Sequence, residues 1–210
     1  MMTKGKFITF EGPDGSGKTT VSKMVCARLE QMGIPVRYSR EPGGSRIAEK
    51  IRDIILDPEN TDMDARCEAL LYAASRRQHL VEIVLPSLAE GTHVICDRFV
   101  DSSAAYQGYG RQIGVDEVLE MNRFATGGMM PDRTIFLDVP ASLGLERIRL
   151  NARETDRMDS ESMEFHQKVY EGYQKVAEKA GSRMVRIDAS RSLDEVTEDA
   201  LAAVLELIHG

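Results

Sequence analysis

No apolar run in this chain approaches the ~18 residues that a membrane-spanning helix needs. The N-terminus passes from Lys4 and Lys6 directly into an apolar run, without the pattern of a signal peptide. Cysteine is scarce: Cys26, Cys67 and Cys96 are odd in number, far apart and set in apolar stretches. That excludes a disulfide framework or a zinc site and reads as reduced core thiols of a cytoplasmic protein. The four histidines, His79, His93, His166 and His209, lack metal-ligand spacing. Excess positive charge is missing too. A net charge of −7 argues against an extended nucleic-acid surface, although a local basic pocket for a small phosphorylated ligand is compatible with it. Internal repeats, low-complexity tracts and dividing linkers are absent, so the 210 residues read as a single domain with a sizeable core.

What is present begins with Gly12-Pro13-Asp14-Gly15-Ser16-Gly17-Lys18-Thr19, which fits G-x-x-x-x-G-K-[ST] without a gap. It follows the apolar run Phe7–Phe10 and precedes a helical pattern at Val21, Met24, Val25, Arg28 and Leu29. Strand, loop and helix in that order are the context of a phosphate-binding P-loop. The glycines let successive N–H groups converge on a polyphosphate, and the helix adds its positive end. Lys18 is expected at the β- and γ-phosphates of ATP, and the Thr19 hydroxyl on Mg²⁺. The plain alternative is a glycine-rich turn between strand and helix.

Further apolar strand-like runs lie at Val36–Ser39, His93–Cys96, Thr134–Val139 and Arg183–Ile187, with helical spacing between them. The pattern predicts an α/β fold of the P-loop NTPase type: a parallel five-stranded sheet with helices on both faces. Ligands then gather at the carboxyl ends of the strands. Asp64 to Glu90 reads as one long helix ending at Gly91, with Pro86 as a kink.

Asp97-Arg98 follows the run His93–Cys96. A strand-end Asp beside a P-loop strand suits a water held on Mg²⁺, and Arg98 suits an acceptor phosphate. Taken alone, the pair fits equally well as a structural ion pair or a helix cap, and Asp138 repeats the pattern as a second candidate for the metal.

Asp97-Arg98-Phe99 with Ser102-Ser103-Ala104-Ala105-Tyr106-Gln107-Gly108 resembles the signature of thymidylate kinases. Arg40-Glu41-Pro42-Gly43-Gly44 with Ile51-Arg52, and Leu70–Arg76, resemble two more blocks of that family, in order. The resemblance spans essentially the whole chain. It implies transfer of the γ-phosphoryl group of MgATP to dTMP, giving dTDP and ADP on the way to dTTP, by a single nucleoside monophosphate kinase domain that forms a homodimer. It also implies roles: Asp14 near the deoxyribose 3′-hydroxyl, Tyr72 stacked on thymine, and Arg76 at the base edge. Arg40 and Arg98 would hold the acceptor phosphate, with Gln107 and Ser103 positioning the nucleotide. Tyr106 would crowd the 2′ position, Arg52 would line the pocket, and Glu41 would organise water or Mg²⁺. Many relatives carry Phe in place of Tyr72 and Tyr in place of Phe99.

Arg147, Arg149, Arg153 and Arg157 lie within Leu145–Met158, and the last three, four apart, share a face if helical. An anonymous chain would favour a solvated surface helix. The resemblance instead implies a mobile lid over about 147–160 that supplies a catalytic arginine, because the P-loop itself has none. Arg153 is the expected donor, with Arg149 and Arg157 on ATP. The acceptor is a phosphate oxygen, already anionic, so charge neutralisation matters more than a base. Three alternatives differ in the acceptor or lack one: a deoxynucleoside kinase, a kinase for UMP or AMP, and a nucleotide-dependent switch. The last is disfavoured by the absence of an Asn-Lys-x-Asp guanine motif.

Overall fold

The computed structural model describes residues 4–150 and 156–210. Five strands, β1 (Phe7–Glu11), β2 (Val36–Arg40), β3 (His93–Asp97), β4 (Arg133–Asp138) and β5 (Met184–Asp188), form one all-parallel sheet in the order β2-β3-β1-β4-β5. Period-two alternation turns Ile8, Phe10, Ile135 and Leu137 to one face and Phe7, Thr134 and Phe136 to the other. A strand buried on both faces therefore reads as a continuous apolar run.

Helices cover both faces. On the first, α1 (Lys18–Gln31) and α9 (Leu193–His209) pack Val21, Val25, Leu29, Val196, Ala200 and Val204 against the sheet. The start of α9 is fixed by a capping box between Ser192 and Glu195. On the second face, α8 (Met163–Ala180) lays Phe165, Val169, Tyr173 and Val176 over Phe136 and a π-helical turn at Ala104–Gly110. Leu80, Val84 and Leu88 cover Phe7, Val94 and Cys96. The remaining helices are α2 (Arg46–Leu56), α3 (Ala65–His79), α4 (Leu85–Ala89), α5 (Val100–Ser103), α6 (Val115–Thr126) and α7 (Ala141–Leu150).

Two expectations are corrected. The segment after Asp64 is helical without a break from Ala65 to Ala89, but it is not α-helical throughout: α3 passes into a π turn at Leu80–Val84, and α4 resumes just ahead of Pro86. Pro86 thus lies just past the widened π turn, where the regular i→i−4 ladder is already interrupted and its missing N–H is accommodated. Cys67 is exposed on α3, whereas Cys26 and Cys96 are buried free thiols.

Candidate active site

The P-loop leaves β1 at the middle of the sheet, and its neighbour β3 ends on Asp97. Between them opens a cavity of about 430 Å³ at the carboxyl ends of the strands. Lys18 is buried at the start of α1, and its Nζ donates to Pro13 O at 2.8 Å and Ser16 Oγ at 3.2 Å, so the cation lies inside the loop. Burial and then the Arg98 charge push its amine down to about 8, against the pull of Asp14, Asp97 and Glu11. A polyphosphate in the loop would hold the lysine charged.

The Thr19 hydroxyl donates to Asp97 Oδ2, joining the P-loop to the end of β3. The other carboxylate oxygen, Asp97 Oδ1, is buried with no hydrogen-bond partner among the described residues. A lone carboxylate oxygen beside a hydroxyl is a hard-donor set that suits Mg²⁺. Asp138, the second candidate, is taken up by Arg186 and Gln174.

Arg98 adopts a left-handed backbone, φ 73°, which an L residue reaches only when its surroundings impose it. Its N–H bonds Phe10 O at 2.9 Å. The guanidinium donates to Asp14 Oδ1 at 2.5 Å and to the hydroxyls of Tyr106, Ser102 and Tyr173. Burial pushes the Asp14 carboxyl up, but Arg98, Lys18 and the Tyr106 hydroxyl, 2.7 Å away, outweigh it and hold Asp14 below the usual range. Nothing in the residue pattern pointed to Glu11. This buried carboxyl accepts from Phe99 N at 2.6 Å, Ser102 Oγ at 2.5 Å and Tyr173 Oη at 3.0 Å. Burial, then the Asp101 charge, pushes it up to about 7.

The far wall of the cavity collects residues from the end of β2, from α2 and α3, and from α5 with the turn after it: Arg40, Arg52, Tyr72, Arg76, Ser103, Tyr106 and Gln107. Arg40 pairs with Glu49 at 3.0 Å and, like Arg52, donates to Pro42 O. Arg76 is buried and donates to Glu41 Oε2 at 2.7 Å, Ser103 Oγ, Asn122 Oδ1 and Phe99 O. Phe99 meets Phe7 edge-on with ring centroids 4.9 Å apart, and the Arg76 guanidinium lies over its ring at 5.2 Å from the centroid.

The chain from residue 10 to residue 200 matches the family model described as thymidylate kinase. It is 53% identical over 208 residues to a thymidylate kinase of Geobacillus sp. (strain WCH70), with 99% of each covered. A thymidylate kinase of Lacticaseibacillus casei (strain BL23) is 57% identical over 195 residues, with 91% of each covered. Among solved structures, a thymidylate kinase from Ehrlichia chaffeensis superposes with a TM-score of 0.76 at 32% identity, covering 96% of this chain and 99% of that one. The chain belongs to the thymidylate kinase family.

As a thymidylate kinase it brings the residues of all four sequence blocks to one cavity, but the helical placement expected of Arg157 changes. Glu41 lines the same cavity and is buried, with its oxygens on Arg76 and on His79 Nδ1 at 2.8 Å, so it also holds Arg76 in place. Arg157 lies in a turn, not on a helical face shared with Arg149. Its guanidinium is buried on Glu68 Oε2 at 2.7 Å and Ile55 O at 2.8 Å. Arg147 donates to Ala189 O. Arg149, near the end of α7, is exposed, and Arg153 lies outside the described residues. Glu11, Glu68 and His79 were missed because each is recognisable only through partners far away in sequence.

Proposed function

We propose that this chain transfers the γ-phosphoryl group of MgATP to dTMP, giving dTDP and ADP. As a member of its family it is a nucleoside monophosphate kinase. The observation that carries the reading is that the P-loop and the Tyr72/Arg76/Gln107 wall line a single cavity, with Asp97 and Arg98 between them. Donor and acceptor sites are thus adjacent, as direct transfer requires. Thr19 and Asp97 would hold Mg²⁺, which when bound supplies positive charge against the phosphate oxygens.

The chain's own residues do the rest. Gly12 through Thr19, with Pro13, Asp14, Gly15, Ser16 and Gly17 between, wrap the ATP phosphates, and Lys18 neutralises them. Arg98 and Arg40 hold the acceptor phosphate, an anion that needs no general base. Arg52 raises the positive potential beside it. Tyr72 stacks on the base, Arg76 donates to its edge, and Ser103 and Gln107 complete the wall. Tyr106 and Asp14 bound the sugar. Arg153 supplies the lid charge, assisted by Arg149, so that closure and neutralisation coincide.

We also read the enzyme as a cytoplasmic homodimer that binds neither nucleic acid nor membrane. No helix among the described residues is long and apolar enough to cross a membrane. Ile54 of α2, Leu70 of α3 and Phe124 of α6 are exposed, Phe124 to 91%, which supports a helix-to-helix dimer face. Sedimentation velocity of the wild type and of Phe124→Asp checks this, with a monomeric wild type as the adverse result. The activity is tested by ADP release from ATP alone and with dTMP, dUMP, UMP, AMP or thymidine. Stimulation by dTMP above all others is expected. Stimulation by thymidine alone, or release independent of any acceptor, overturns the reading.

A further inference from the structure

Glu68 of α3 is fully buried, yet it belongs to none of the sequence blocks that mark the site. Its Oε1 accepts from Gln107 Nε2 at 2.8 Å and from Arg111 Nε at 3.2 Å. Its Oε2 accepts from Arg111 at 2.8 Å and from Arg157 at 2.7 Å. Arg111 continues to Glu161 at 2.5 Å. Two guanidinium groups on one carboxylate keep it ionised: burial pushes Glu68 up, but the bonds from Arg111, Gln107 and Arg157 outweigh it and hold the carboxyl below its usual range.

An ionised carboxylate has no proton to give. Gln107 can therefore approach Glu68 only with its NH₂ group, and its amide is no longer free to turn over. The carbonyl oxygen is the half of that amide left for the cavity that Gln107 lines. A carbonyl at that wall accepts from a ring N–H. Thymine and uracil carry such an N–H at N3, whereas cytosine presents a bare nitrogen there, so two acceptors would face each other unpaired.

We propose that Glu68 is a positioning residue that sets base specificity: by locking the Gln107 amide it selects 2,4-dioxopyrimidine nucleotides and rejects 4-aminopyrimidines. The proposal rests on the dTMP reading above. It also assigns work to Arg157, which fixes the charge of the locking carboxylate. Arg76 discriminates at the base edge independently, so Glu68 controls one part of the selection and not all of it.

The test measures kcat/KM for dTMP and for dCMP in the wild type and in Glu68→Gln. A neutral Gln at position 68 offers either half of its own amide, so Gln107 turns freely. The dTMP-to-dCMP ratio is expected to fall at least tenfold, mostly through KM for dTMP, with KM for ATP within twofold of the wild type. In a Gln107→Leu background, Glu68→Gln is expected to lower the ratio no further. An unchanged ratio, equal losses on both acceptors, or an additive loss in the double variant overturns the proposal. Should Glu68→Gln not fold, Glu68→Asp withdraws the carboxylate from Gln107 while keeping its charge, and the same fall is required of it. A wild type that does not prefer dTMP over dCMP refutes the acceptor reading itself, separately from the role of Glu68.

Discussion

Gly15 of the P-loop and Gly144 of α7 meet backbone against backbone. A Cβ built on Gly15 would overlap Gly144 O, and one built on Gly144 would overlap Asp14 O. The helix that carries Arg147 and Arg149 is thus docked directly on the phosphate loop. Gly→Ala inside a helix ordinarily stabilises by about 0.5–1 kcal/mol. Here the overlap is with backbone, which cannot swing aside, so the sign reverses. Gly144→Ala is expected to lower stability by about 1 kcal/mol or more and to raise KM for ATP. Urea unfolding and steady-state kinetics check both, and a stabilised variant with normal KM refutes the docking.

Arg98 reaches its place through a backbone conformation that is costly for a side-chain-bearing residue. Its guanidinium is oriented by Asp14, Tyr106, Ser102 and Tyr173. Charge-assisted bonds to a phosphate are worth about 1.5–3 kcal/mol each. Arg98→Ala is therefore expected to cut kcat/KM for dTMP by ~100-fold, while the affinity for ATP changes little. Titrating each nucleotide separately decides it; equal losses on both sides contradict the acceptor role.

Asp97 has one oxygen on Thr19 and the other without a hydrogen-bond partner among the described residues. Asp97→Asn keeps the shape and removes the charge that a divalent cation requires. The Mg²⁺ concentration for half-maximal rate is expected to rise about tenfold or more, and chelation with EDTA is expected to abolish turnover of the wild type reversibly. A variant with an unchanged Mg²⁺ profile sinks the assignment, and Asp138 is no ready substitute because Arg186 and Gln174 occupy it.

The features legible in the sequence are those written locally. The P-loop, β1 and α1 form a contiguous strand–loop–helix, and Asp97-Arg98 sits at the end of an apolar run, so both were found without tertiary information. The central strands β1, β3 and β4 stand out because burial on both faces makes them largely apolar, whereas the edge strands β2 and β5 mix apolar and charged residues and show a weaker run. What escaped depends on long-range partners. Glu11 meets Tyr173 across 162 positions and Arg157 meets Glu68 across 89. No local pattern tells a buried hub from a solvated acid. Arg157 looked like one of a row of surface arginines, and its four-residue spacing implied a helix where the chain makes a turn. The π turn at Leu80–Val84 shares helical periodicity too closely to be told from α-helix by spacing.

Glu11 offers a pH test of the network behind Arg98. Its carboxyl is buried and pushed up to about 7, from an ordinary value of 4.5. Because the folded-state value is raised, the native state binds a proton that the unfolded chain releases above about pH 4.5. The stabilisation from that bound proton is fully present below this value. It is lost as pH climbs through the window from about 4.5 to about 7. The difference corresponds to about 3 kcal/mol at most. Glu11→Gln cannot titrate, so relative to wild type its stability should improve by up to that amount between pH 5 and pH 8, whatever the fixed cost of the lost acceptor at either pH. Because Phe99 N–H, Ser102 and Tyr173 all bond Glu11, the variant should also raise KM for dTMP more than KM for ATP, through misorientation of Arg98. Urea midpoints at the two pH values, read with the two KM values, separate these effects. A stability difference between wild type and Glu11→Gln that stays constant with pH means that Glu11 does not titrate in this window.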